Sequence, residues 1–225
     1  MRLPQRSFSS AIRTFRTLPE RRYLLPVVSI CTSPWEIKED RIMAIEVFRP
    51  KRGEVLECVA RFEELSSTDK GLPDQPVEGF HREFRNVLGF QQPEGEETYS
   101  PIGDDAKPHI GHLQAGFGMG YVSARPGQGV MMHTHDTNET FVVMEGTWMF
   151  EWEGEDGDDH VILEEQDIVS FPPGIHRRFE CQSARDGKSQ GMILGVIGGN
   201  TPGAEFSPES VERMKAAGTW PDVAE

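Results

Sequence analysis

Two histidines and a carboxylate, His133, His135 and Glu139, are the residues of this chain whose types and spacing are best suited to act together. Alternate residues of a strand point to the same face, so an imidazole at i and another at i+2 lie about 6.6 Å apart at Cα and can converge on one ion. The flanking runs Gly129-Val-Met-Met and Glu139-Thr-Phe-Val-Val-Met carry the apolar and β-branched bias of strands, and Asp136-Thr137-Asn138 between them is turn chemistry. Glu139 therefore opens a returning strand and faces back toward the histidines. A fourth ligand is expected from His176, which follows a short apolar strand and a Pro-Pro-Gly turn in Asp167-Ile-Val-Ser-Phe-Pro-Pro-Gly-Ile-His176. Three imidazoles and one carboxylate suit one divalent transition metal, Fe(II) first, with Zn, Mn, Ni or Cu as alternatives, rather than Ca or Mg.

Alternation also names the expected neighbours of such an ion. Met131 should share the face of His133, Phe141 and Val143 that of Glu139, and Arg178 that of His176. These predict an apolar pocket with one arginine at its rim, fit for a small organic acid or an enolised carbonyl; the rival reading turns Arg178 to solvent. Four protein ligands on a six-coordinate ion leave two positions for water, substrate or oxygen. The sequence holds no Ser-His-Asp or Cys-His arrangement and no Gly-rich phosphate loop, so catalysis is expected to be metal-centred. His81, His109, His112 and His160 are expected to be structural or exposed.

The order Gly127, His133, His135, Glu139, Gly146 resembles the first signature of the cupin superfamily, with no departure in spacing. Asp167 to His176 resembles the second, matching at Pro172, Gly174 and His176. It departs in three places: Gln166 stands where a glycine is usual, one residue instead of two separates Gly174 from the histidine, and the closing asparagine is absent. The resemblance covers residues 111–200. It implies an all-β fold, a double-stranded β-helix or jelly-roll barrel, with the metal inside its mouth, and a homodimer.

Composition agrees with a turn-rich β domain: 23 glycines and 16 prolines at 36% hydrophobic content. Three widely spaced cysteines form neither a disulfide framework nor a zinc-finger pattern, which points to a reducing compartment, the cytoplasm. No apolar run reaches the roughly 20 residues of a membrane span. Residues 1–42 hold eight Lys/Arg against four Asp/Glu, whereas the remainder holds 15 against 33. So acidic a body argues against nucleic-acid binding.

Four segments are expected: a leader, 1–42; strands and a lid or loop region, 43–110; the barrel, 111–200; and a helical tail, 201–225. The leader reads either as a mitochondrial transit peptide, being Arg- and Ser-rich, or as a mistranslated stretch before a true start at Met43, since Lys38-Glu39-Asp40 is compatible with a ribosome-binding sequence. Met43 onward suggests a strand at 44–48, and apolar Phe80, Phe84, Val87 and Leu88 fit a short amphipathic helix or an irregular lid. In the tail, Ser207-Pro208-Glu209 starts a helix that Gly218 ends, with Val211 and Met214 as its apolar face. Three functions remain open: a dioxygenase-type oxidoreductase on a small organic substrate, a non-redox isomerase, decarboxylase or lyase, and a non-catalytic cupin that binds a small molecule.

Overall fold

The computed structural model describes residues 47–91, 99–103 and 105–221. The chain divides after Phe48, and the expected leader and the residues 44–46 of the expected first strand lie outside the described part. Everything below concerns the second unit, Arg49–Glu225.

A short helix α1 (Arg52–Leu56) precedes β1 (Glu83–Leu88), β2 (Phe117–Ala124), β3 (His133–His135), β4 (Glu139–Glu145), β5 (Thr147–Gly154), β6 (Gly157–Leu163), β7 (Ile168–Phe171), β8 (Arg177–Ser183), β9 (Gly191–Gly198) and β10 (Ala204–Phe206); α2 (Pro208–Ala217) closes the described chain. The strands form two five-stranded antiparallel sheets in the orders β1-β2-β9-β4-β7 and β10-β3-β8-β5-β6. From β2 to β9 the chain alternates between sheets, apart from the β5–β6 hairpin. This is the winding of a jelly-roll barrel. Its core is aromatic where the sheets face each other, with Phe141, Trp148, Phe150, Phe171 and Phe179 buried and in edge or tilted ring contact.

Local chemistry explains the connections. Gly146 takes φ 82° in the tight β4–β5 turn, a backbone state that favours glycine. Gln166, where a glycine was expected from the resemblance, takes φ 77° all the same. In α2 the Ser207 hydroxyl accepts the amide of Ser210, Pro208 occupies the first turn, and Gly218 ends the helix at φ 71°.

The segment Phe80–Phe90 is not a helix. It forms β1, paired antiparallel with β2. The residues turned inward are Phe80, Arg82, Phe84 and Asn86, a two-residue period whose polar members hid it from an apolar count. Arg82 is held inside by a twin pair with Asp74, Nη1–Oδ2 at 2.9 Å and Nη2–Oδ1 at 3.0 Å, and Asp74 also accepts the amide of Met131. These bonds anchor the 72–82 segment to Met131, two residues before β3. Among the described residues no helix is long and apolar enough to cross a membrane.

Candidate metal centre

His133 and His135 sit on β3 of the second sheet and Glu139 opens β4 of the first, so three candidate donors come from both sheets and meet between them. One donor atom of each lies within 4.8 Å of the others, and all three residues are buried. The intervening turn is held by hydrogen bonds rather than by length. Asp136 Oδ1 accepts the Gly203 amide at 2.9 Å, and the Asn138 carbonyl accepts the Gly198 amide at 3.0 Å.

Each imidazole is oriented by a backbone carbonyl. His133 Nδ1 lies 2.8 Å from the Met131 oxygen and His135 Nδ1 lies 2.8 Å from the Gly203 oxygen. A carbonyl only accepts, so each Nδ1 carries a proton and each Nε2 is the atom left to face the site. His135 Nε2 is buried with no hydrogen-bond partner and lies 3.4 Å from Glu139 Oε1. That separation is about what two ligands make around one ion with bonds near 2.1 Å in tetrahedral geometry. The three residues fit a transition-metal ion, and the carbonyls behind the imidazoles are the outer support such sites use.

Electrostatics point the same way. Burial, then the nearness of His135 and of the Arg177 guanidinium, hold His133 well below the ordinary histidine value, which keeps it neutral and ligand-competent. Burial pushes the Glu139 carboxyl up, but the charges of His135 and Arg177 outweigh it and bring the value down to about 2.

His176 does not join this cluster. Its Nδ1 lies 2.7 Å from Glu153 Oε2 on the outer side of the second sheet, with 31% of the side chain exposed. The residue turned inward is its neighbour Arg177, whose side chain is 1% exposed. Arg177 Nε and Nη2 donate to Glu139 Oε2 at 3.1 and 2.9 Å, and Nη1 donates to the Ile175 carbonyl at 3.0 Å. The cause is strand register. Arg177, Phe179 and Cys181 are buried on β8 while Arg178, Glu180 and Gln182 face out, and one residue of slip exchanges the faces. With one residue fewer than the usual spacing before the histidine, the two-residue interval after Gly174 ends on Arg177. The signal was in the sequence: Phe179 and Cys181 are the apolar positions of Arg177-Arg-Phe-Glu-Cys-Gln, and they share the parity of Arg177.

The expected neighbours divide. Phe141 lines the interior beside Glu139. Arg178 faces outward, as its register requires, and pairs with Glu151 at 2.7 Å and Glu180 at 3.3 Å. It lines a groove of about 280 Å³ between the second sheet and α2, together with Glu153, Asp158 and Arg213. Met131 does not share the face of His133, because the chain bends at Met132 before β3 begins; Met131 packs against Phe80 and Met214, and Val130 takes the interior position. Sequence reasoning also missed Phe90, whose buried ring lies against the glycine floor of β2, where a Cβ on Gly118 would sit 2.9 Å from it. With Phe90, Phe141, Ile102 and Val130 around it, the space beside His133 and Glu139 is a cavity of about 30 Å³. That holds about two waters.

The fold and site together define a jelly-roll barrel with two strand-borne histidines and a carboxylate between its sheets. Residues 120–188 match the family described as the cupin domain. No curated protein matches the sequence. Solved structures that resemble it include an oxalate oxidase in complex with the substrate analogue glycolate (19% identity, 43% of this chain and 48% of that one, TM-score 0.38). A vicilin from Solanum melongena (14%, 70% and 37%, 0.47) and an oxalate decarboxylase from Bacillus subtilis (16%, 66% and 30%, 0.40) are others. The chain spans less than half the length of each.

Proposed function

We propose that this cupin domain binds one divalent transition-metal ion through His133 Nε2, His135 Nε2 and Glu139 Oε1, and that it acts as a dioxygenase-type oxidoreductase. The observation that supports this best is the pair of carbonyl-oriented imidazoles, with one Nε2 left buried and unpartnered against a carboxylate. Two imidazoles and one carboxylate with open positions are the donor set of many Fe(II) oxygenases, so iron is the first candidate and Zn, Mn or Ni the alternatives. When bound, such an ion supplies Lewis acidity and, for iron, a one-electron couple. The chain's own contribution is to aim two imidazole Nε2 atoms and one ionised carboxylate at one point between the sheets, with Phe90 and Phe141 lining the space beside them.

A second reading, a non-catalytic or non-redox metal cupin, is favoured by one specific observation. The cavity beside the donors is of water scale, too small to enclose an organic acid without movement of Phe90. Two measurements separate the readings. Metal analysis of the isolated protein should find close to one transition ion per chain, and His133→Ala or His135→Ala should abolish it; unchanged metal content would refute the site. Oxygen uptake stimulated by a small aromatic acid, diketone or thiol supports the first reading. Zinc with no uptake supports the second.

A further inference from the structure

Arg177 is the buried charge that neither the metal ligation nor the aromatic core accounts for. It lies two residues past Ile175 on β8, pairs across to His133 in register, and directs two donors at one oxygen of the candidate ligand Glu139. The other oxygen, Oε1, faces His135. Glu139 therefore divides its two oxygens between a fixed cation and the place where an ion would sit. Within the site, Glu139 and Arg177 form a buried pair whose charges cancel. A dication entering there meets a guanidinium held on the same carboxylate, in a closed and weakly screened interior.

We infer that Arg177 sets the metal affinity of the centre by competing with the ion for the charge of Glu139, so that metal binds reversibly and the metal-free barrel stays intact. This rests on the metal-binding reading given above. Arg177 is a positioning residue in this scheme, since it acts through Glu139. Its twin bonds to Oε2 also confine Glu139 to one-oxygen ligation through Oε1. A neutral side chain at 177 would leave Glu139 buried with the ion as its main compensation, so the metal-free form would lose stability and the metal-bound form would gain by comparison.

The test is titration of the metal-free full-length protein with Co(II) and Zn(II) against a chromophoric chelator, with urea denaturation of the metal-free forms alongside. Arg177→Gln should bind about tenfold tighter or more, the scale on which groups behind metal ligands act. It should also unfold at lower urea than wild type when metal-free. Arg177→Met fills similar space without charge and gives the same reading should the Gln variant not fold. Arg177→Lys keeps the cation and should stay close to wild type. Equal or weaker binding by the neutral variants, with wild type binding metal, overturns the competition while leaving the metal site standing. Failure of wild type and every variant to bind metal, with His135→Ala indistinguishable from them, overturns the metal reading and this proposal with it.

Discussion

At the scale of single residues, the chemistry depends on which groups stay ionised in a dry interior. Glu139 is an anion down to about pH 2 because the nearness of His135 and Arg177 outweighs the cost of its burial, and His133 is neutral because burial, and then those same two neighbours, oppose its protonation. Both shifts make the unfolded chain the better proton acceptor in acid. For His133 the stabilisation is complete above the unfolded value of 6.5 and is lost progressively as pH falls below it. For Glu139 it is complete above the unfolded value of 4.5 and is lost as pH falls toward about 2. Urea unfolding of the metal-free protein should therefore weaken in two stages below pH 6.5. His133→Gln should flatten the upper stage and leave the lower one, and Glu139→Gln should do the reverse. A His133→Gln profile that keeps the same slope between pH 6.5 and 4.5 would show that His133 is protonated in the fold.

At the scale of elements, what was legible followed from periodicity and turns, and what was hidden followed from polar residues on buried faces. The β3–β4 hairpin could be read because His133, His135 and Glu139 fall on one face across a turn-forming triplet, and α2 because its cap and stop residues stand at its ends. Strand β1 could not be read by hydrophobicity, since Arg82 and Asn86 occupy buried positions that only tertiary partners make affordable: Asp74 for one, the Ala106 carbonyl for the other. In β8 the shortened spacing after Gly174 sets His176 where the motif resemblance expects a ligand, while the apolar positions Phe179 and Cys181 share the parity of Arg177 and turn that residue inward.

The loop after β1 shows the same limit and allows a test. Phe90 adopts φ 57°, a strained state for an aromatic residue, yet it is 7% exposed because Gly118 and Gly120 leave room for its ring. Its burial outweighs the strain. Phe90→Ala should cost about 3–5 kcal/mol in chemical denaturation, less about 1 kcal/mol of backbone relief if glycine is used instead. The void should join the cavity beside His133, so benzene should raise the melting temperature of Phe90→Ala and leave wild type unmoved. No benzene effect on the variant would mean the loop collapses into the space.

At the scale of the whole molecule, the candidate donors matter because they belong to different sheets. His133 and His135 stand on the sheet that ends in β6, Glu139 on the sheet that ends in β7, and the aromatic core lies between the two. The Glu139–Arg177 pair already links the sheets, since Arg177 is on β8 of the second. An ion held by all three donors would add a second link at the same place and would have no preformed site in the unfolded chain. Its binding free energy then adds to the stability of the barrel as a unit. At a free metal concentration of 100 times Kd the gain is about 2.7 kcal/mol, which for a chain of this size raises Tm by about 5–11 °C. Fe(II) under nitrogen, Zn(II) or Co(II) should each produce a shift of this order in wild type, and a chelator should reverse it. Neither His133→Ala nor His135→Ala should respond. Because the link joins both sheets, the whole unfolding transition should move without splitting. A metal-induced shift confined to one of two separate transitions would show that the ion tightens one sheet alone and that Glu139 is not among its ligands.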